Sequence, residues 1–175
     1  MAKNLKVVLL GYMASGKSTV GRVLAERLGI DFIDLDDEIQ KNVNKSIPQI
    51  FTEKGELFFR KKESEVLNTI LDRKVGFVLS LGGGTPCYGN NMDVISSKTQ
   101  NSIYLKLNVG SLVNRIAAHR EQRPLVAKIS PDDLPEFVGK HLFERAPFYL
   151  RANHTITCDT KTIDEVVNEV AAILL

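Results

Sequence analysis

LKVVLLGYMASGKSTV, residues 5–20, reads as a buried strand that runs into a glycine-bounded turn and then a helix. The run at 5–10 is apolar apart from Lys6 and does not alternate, the pattern of a strand covered on both faces in a parallel sheet. Gly11, Gly16, Lys17 and Ser18 fill the pattern G-x-x-x-x-G-K-[ST] completely. The glycines let the backbone curl until successive N–H groups point at phosphate oxygens, and the helix starting near Lys17 adds its positive end. Lys17 supplies a mobile charge for the β and γ phosphates, and the Ser18 hydroxyl is a hard oxygen suited to Mg²⁺. The competing reading is a chance match. The bare pattern arises in about one chain of this length in a few hundred, and here it also has the required strand before it and helix after it. The stretch therefore marks a nucleoside triphosphate site without naming an acceptor.

Outward from this loop, strands and helices alternate. A helix is predicted over 17–28, with Val20, Val23, Leu24 and Leu28 at helical spacing and Gly29 as its stop. A short strand at 32–35 follows. Ser46, Pro48 and Gln49 form a capping-box start for helical spacing that continues to Ile70, with a break expected at Gly55. Strands are read at 75–81, 102–107 and 155–158, and helices at 109–119, 136–149 and after the capping pair Thr162 and Glu165. The segment 120–135 holds Arg120, Arg123, Pro124, Pro131 and Pro135 among scattered apolar residues, the composition of a mobile loop or lid. Alternating strands and helices imply an α/β fold, a parallel sheet covered on both faces.

The bulk properties bound the class. A chain of 175 residues, 43% hydrophobic and 25% charged, fits one soluble domain. A net charge of +2 gives no support for a nucleic-acid or membrane surface. No run approaches the ~20 apolar residues of a membrane span, and the run at 7–10 is too short for a signal-peptide core, which favours the cytoplasm. Cys87 and Cys158 are expected to be reduced and separate. His119, His141 and His154 have no metal-ligand spacing and are expected at the surface.

Three further groups are candidates for the acceptor side. Asp34 and Asp36 stand at the carboxyl end of the second strand, where alternation would point both into the crevice of an open sheet. They could hold a Mg²⁺ water and take a proton from an attacking hydroxyl. Equally, Asp34, Asp36, Asp37 and Glu38 could only complement a helix dipole. Gly82, Gly83 and Gly84 follow a buried strand, and three glycines exceed what one turn needs, which favours close approach of a ligand. Ser80, just before them, could orient a metal-bound water. Arg60 and Arg145 each fit a solvated helix face. Were they to converge, they would form a bidentate carboxylate clamp.

Taken together, GYMASGKSTVGR at 11–22, DLD at 34–36, GELFFRKKE at 55–63, LSLGGG at 79–84, RPL at 123–125 and RAPFY at 145–149 strongly resemble the shikimate kinase family. The order and spacing match over almost the whole chain. The resemblance implies one domain over 1–175, a three-layer α/β sandwich of the nucleoside monophosphate kinase type with a five-stranded parallel sheet in the order 2-3-1-4-5. It further implies a lid at about 120–135 and a substrate-binding helical region at about 34–63. The implied reaction is ATP-dependent phosphorylation of the 3-hydroxyl of shikimate in aromatic amino-acid biosynthesis, by a cytoplasmic monomer with Mg²⁺ and no nucleic-acid or membrane partner.

The matching positions acquire roles from the family. Ala14, Ser15, Gly16, Lys17, Ser18 and Thr19 would contact ATP, together with Arg115 and the lid residue Arg123. Lys17, Asp36 and Arg123 would be catalytic. Asp36, Arg60, Gly82, Gly83 and Arg145 would bind shikimate, with Glu63 orienting Arg60. Ser18 would ligate Mg²⁺, and Asp34 and Ser80 would reach its waters. Two places depart from the pattern. The family's adenine-stacking Arg stands seven residues before the lid Arg, which here is Ile116, so either the hinge holds one more residue or Arg115 takes the role differently. The late adenine loop near 160–162 also lacks a sharp signature. Another small-metabolite kinase, for gluconate or AMP, is opposed by the Asp34–Asp36 pair, Arg60 and the glycines. A GTP-binding switch is opposed by the absence of N-K-x-D.

Overall fold

The middle of the sheet is β1 (Lys6–Leu10), whose residues Val7, Val8, Leu9 and Leu10 are all fully buried, so both of its faces are covered. The computed structural model describes residues 4–174, apart from the side chains of Gln122 and Pro124. β1 is flanked in parallel by β3 (Phe77–Ser80) and β4 (Ser102–Lys106); β2 (Asp31–Asp34) and β5 (His154–Thr157) are the outer strands, giving the order β2-β3-β1-β4-β5. The α/β class and the strand order are therefore as the sequence implies. The order reverses at β1, so the chain leaving its carboxyl end enters the crevice where open parallel sheets bind ligands.

That chain enters α1 (Lys17–Leu28), whose first residue follows Gly16 at φ 92° and whose end is capped by Gly29 at φ 65°. α1 lies close on the sheet because Gly21 carries no side chain. A Cβ there would meet Phe32 at 2.5 Å and Leu9 at 3.4 Å. Register matters equally on the other side of β3, where Asp34 pairs with Ser80 and so stands level with it at the carboxyl edge.

α2 (Leu35–Val43) begins directly after β2, one helix earlier than the periodicity suggested. Asp34 is its N-cap, with the side chain accepting from the backbone N–H of Asp36 and Asp37. The alternation argument for Asp34 and Asp36 is thus corrected: Asp36 sits in the first turn of a helix, and the two carboxylates converge by capping geometry instead. α3 (Ile47–Leu71) has the predicted capping box at Ser46 and Gln49 and the predicted break at Gly55, at φ 80° and ψ 171°. The break re-aims its second half, which carries Phe59, Arg60 and Glu63.

After β3 come a 3-10 turn at Thr85–Cys87 and α4 (Asn91–Lys98), a short helix with no periodic signature. α5 (Val109–Ala118) follows β4, and the proline-rich segment holds a 3-10 turn at Arg120–Gln122 and the single turn α6 (Pro124–Ala127). α7 (Leu134–Tyr149) begins two residues earlier than the sequence suggested, because Pro135 is tolerated in a helix's first turn. α8 (Ile163–Leu174) closes the fold against α1.

The tightest constraint lies at the exit of β1. Gly11 has φ 149°, and a Cβ there would lie 2.8 Å from the backbone carbonyl oxygen of Leu105 and 3.0 Å from Ser15 Oγ. A backbone oxygen inside a sheet cannot step aside. Gly11→Ala is expected to cost about 1–3 kcal/mol of stability, a fall of roughly 2–12 °C in Tm for a domain of this size. Thermal unfolding followed by circular dichroism checks this, and an unchanged Tm would contradict it.

Candidate active site

The loop after β1 folds round a buried lysine. Lys17 Nζ donates to the carbonyl oxygens of Gly11 and Tyr12, each at 2.9 Å, and to Ser15 Oγ at 3.4 Å. Burial lowers its pKa to about 8; Asp36 and Asp34 pull it back up, while Arg123 and Arg145 add to the depression. Ala14 adopts φ 63°, a conformation L residues rarely take. Such strain in a loop bounded by two positive-φ glycines is typical of sites that aim backbone groups at a ligand.

Beside the loop is an oxygen cluster. Ser18 Oγ donates to Asp34 Oδ2 at 2.9 Å and lies 3.4 Å from Ser80 Oγ. One Asp34 oxygen thus caps α2 while the other accepts from Ser18. No group of three or more His, Cys, Asp or Glu able to hold a metal occurs among the described residues. A Mg²⁺ ion does not need one, since it is commonly held by one or two protein oxygens plus phosphates and waters. The donor set of Ser18, Asp34 and Ser80 fits that ion.

Asp36 is set deeper. Burial raises its pKa to about 6, and the neighbouring carboxylates of Asp34 and Glu63 push the same way against Lys17. A carboxylate tuned towards neutrality in a cleft is suited to accept a proton.

The loop residues Ala14, Ser15, Gly16, Lys17, Ser18 and Thr19 line one cleft of about 730 Å³ with Asp34, Asp36, Ser80, Gly82, Gly83, Arg115 and Arg123. Its size is that of a small-molecule site. Arg60 and Arg145 do not line this cleft, but they converge at its end. A Cβ on Gly84 would lie 2.9 Å from Arg60 Nη2 and 3.3 Å from Arg145 Nη2, and one on Gly83 would lie 3.1 Å from Arg145 Nη1. The glycine triplet is thus the floor on which two guanidinium groups meet. On Gly82 a Cβ would come within 3.2 Å of Asp36 Oδ1, so the same floor reaches the carboxylate. Arg60 Nη1 donates to Glu63 Oε1 at 2.9 Å, whereas Arg145 forms no ion pair among the described residues. Arg145 has not paired with Glu144; it packs near the ring of Tyr12, 5.9 Å from its centroid.

Arg115, not Ile116, lines the cleft beside the loop. Ile116 is wholly buried in the core, while Arg115 Nη1 donates to the carbonyl oxygen of Ala14 at 3.3 Å. Lys161 and Thr162 line the same wall. Arg123 reaches the cleft from the proline-rich segment, and its Nε is buried with no hydrogen-bond partner among the described residues. An orphaned cationic donor beside a phosphate loop is what a phosphate oxygen would satisfy.

Two contacts were not anticipated. The Tyr149 hydroxyl donates to the carbonyl oxygen of Gly83 at 2.6 Å and so fixes the floor. His141, expected at the surface, is half-buried, with Nδ1 2.9 Å from the Tyr12 hydroxyl; burial and then Arg145 lower its pKa. The signal was present in the spacing. His141, Arg145 and Tyr149 stand four residues apart in turn and so share one face of α7. Cys87 and Cys158 are both free thiols, as expected.

Comparison with known proteins matches the chain to a family. The sequence model described as shikimate kinase matches residues 13–174. The shikimate kinase of Flavobacterium psychrophilum is 44% identical over 169 residues, covering 97% of this chain and 98% of that protein. Among solved structures, shikimate kinase from Bacteroides thetaiotaomicron superposes with a TM-score of 0.88 at 31% identity, covering 97% of this chain and 96% of that one. Shikimate kinase from Acinetobacter baumannii, solved in complex with shikimate, gives 0.87 at 31% identity, covering 98% and 93%. Loop, carboxylates, glycine floor and paired arginines thus occur in a chain that matches these enzymes end to end, and the chain belongs to the shikimate kinase family.

Proposed function

We propose that this chain transfers the γ-phosphate of ATP to the 3-hydroxyl of shikimate, giving 3-phosphoshikimate and ADP in the chorismate route to aromatic amino acids. The observation that carries the acceptor is the meeting of Arg60 and Arg145 over Gly83 and Gly84. Two guanidinium forks match a planar carboxylate, and a ring anchored there turns its hydroxyls towards Asp36.

In this reading the 3-hydroxyl oxygen attacks the γ-phosphorus, the bond to the ADP oxygen breaks, and the hydroxyl proton passes to Asp36. Lys17 leaves its carbonyl partners for the phosphates and neutralises the charge that develops on them, as do the N–H groups of the loop. Ser18, with Asp34 and Ser80 through water, would hold Mg²⁺, which when bound neutralises the β and γ oxygens. Residues 120–135 serve as the lid, and Arg123 closes on the phosphates with them, which excludes water until the acceptor has arrived. Residues 34–63 form the acceptor side, and Arg115 packs against the base.

Among the described residues no helix is long and apolar enough to cross a membrane. We further propose that the enzyme works in the cytoplasm, and its net charge of +2 gives no support for a nucleic-acid partner.

Arg145→Ala and Arg60→Ala should each raise KM for shikimate at least about tenfold, from the ~1.5–3 kcal/mol of a charge-assisted pair, with KM for ATP within about twofold of wild type. Steady-state kinetics in both substrates checks this, and parallel losses would contradict the clamp. The raised pKa of Asp36 sets a second expectation. The ionised form is the base, so kcat/KM for shikimate should rise with pH through a value near 6 and level off above it. An acid limb at the ordinary carboxylate value of about 4, or an Asp36→Asn variant with full turnover, would remove Asp36 from this role.

A further inference from the structure

The 3-10 turn that follows the glycine floor is built into the carboxylate clamp. Glu63, the partner of Arg60, is only 1% exposed. Its second oxygen, Oε2, accepts from Thr85 Oγ1 at 2.8 Å, and Thr85 is itself fully buried. The turn is pinned in its place: the Thr85 N–H donates to the carbonyl oxygen of Gly82 at 3.2 Å, and Asn91 Nδ2 donates to the carbonyl oxygen of Thr85 at 2.9 Å. Asn91, also fully buried, accepts in turn from Ser64 Oγ at 2.7 Å, which ties the turn back to α3 one residue after Glu63. Every member of this buried chain has a partner, the condition under which a polar network rigidifies a site.

One residue beyond the turn, Tyr88 lays its ring against the same guanidinium, with Arg60 Cζ 3.7 Å from the ring centroid. Phe59 is a looser aromatic neighbour at 5.1 Å. Arg60 is thus held in its plane by Glu63 and on its face by Tyr88. The edge left over is Nη2, which faces the glycine floor where Arg145 arrives. A free Arg side chain has many rotamers to lose, and a group already fixed in its bound geometry does not lose that freedom again when ligand arrives.

We propose that Thr85 and Tyr88 are positioning residues that pre-set Arg60 to receive the carboxylate of the acceptor. Thr85 acts through Glu63, and Tyr88 acts on the guanidinium face; neither touches the reacting atoms. The inference rests on the acceptor being a carboxylic acid held by Arg60 and Arg145.

The test is steady-state kinetics on Thr85→Val, Thr85→Ser, Tyr88→Ala and Tyr88→Phe, with thermal unfolding of each. Val keeps the shape of Thr but removes the hydroxyl, leaving a buried carboxylate oxygen unpaired, and Ala removes the stacked ring. Each should raise KM for shikimate about three- to tenfold, with KM for ATP within about twofold and a smaller change in kcat than in KM. Ser and Phe, which keep the hydroxyl and the ring, should restore KM for shikimate to within about twofold of wild type. Equal losses for ATP and shikimate, unchanged KM in the Val and Ala variants, or failure of Ser and Phe to restore it would overturn the proposal. Should Thr85→Val or Tyr88→Ala not fold, Thr85→Ala and Tyr88→Leu take their place, with the same rise in KM for shikimate expected and an unchanged KM overturning the proposal. Wild-type turnover of shikimate is the control. Its absence would count against the acceptor itself, whereas turnover with indifferent variants would count only against Thr85 and Tyr88.

Discussion

The whole site hangs on the reversal of the chain at Gly11, where β1 ends against the Leu105 carbonyl of the neighbouring strand with no room for a side chain. Both faces of β1 are buried, so the strand cannot slide to relieve the contact. The loop must therefore leave the sheet steeply, and it does so between β3 and β4, where the strand order reverses. The groups proposed to act on phosphate are all placed by that exit: Lys17 with its carbonyl partners, the start of α1, and the Ser18 hydroxyl beside Asp34 and Ser80.

The same crowding sets the electrostatics. Burial pushes Lys17 down to about 8 and Asp36 up to about 6, so a cation and a carboxylate whose pKa values lie much closer than those of the free side chains share one cleft. Asp36 stays below neutrality because Lys17 opposes its burial and its two carboxylate neighbours. Lys17 stays charged at neutral pH because Asp36 and Asp34 oppose its own burial. The positive charge of Arg123 and Arg145 acts on Lys17 from two further sides, one from the proline-rich segment and one from α7. Charges that would be costly singly are tolerated because each is another's partner.

How much of this was legible depends on whether local sequence carries the geometry. The alternation of strands and helices, the phosphate loop and the break at Gly55 are written in contiguous residues with a fixed period or a fixed pattern, whereas the strand order is implied only by the family resemblance. α2 was missed because Asp34 was read as the end of a strand, although it also caps the helix that follows. α4 was missed because eight residues with little apolar periodicity give no signal. Arg60 and Arg145 come from α3 and α7 and meet over the glycine floor, and no pattern in either helix reports it. Here family resemblance supplied what residue chemistry left open. The His141, Arg145 and Tyr149 face of α7 was readable from spacing alone, yet a single His without companions gave no reason to look.

The account stands or falls on which hydroxyl receives the phosphate. Incubating the protein with Mg²⁺, ATP and, separately, shikimate, gluconate or AMP, and identifying products by phosphorus NMR and mass spectrometry, addresses it directly. The account predicts stoichiometric ADP and a single monophosphate ester at the 3-hydroxyl with shikimate, and no product above the ATP hydrolysis background with the other two. Phosphorylated gluconate or ADP formed from AMP at a comparable rate, or no shikimate ester at all, would contradict it.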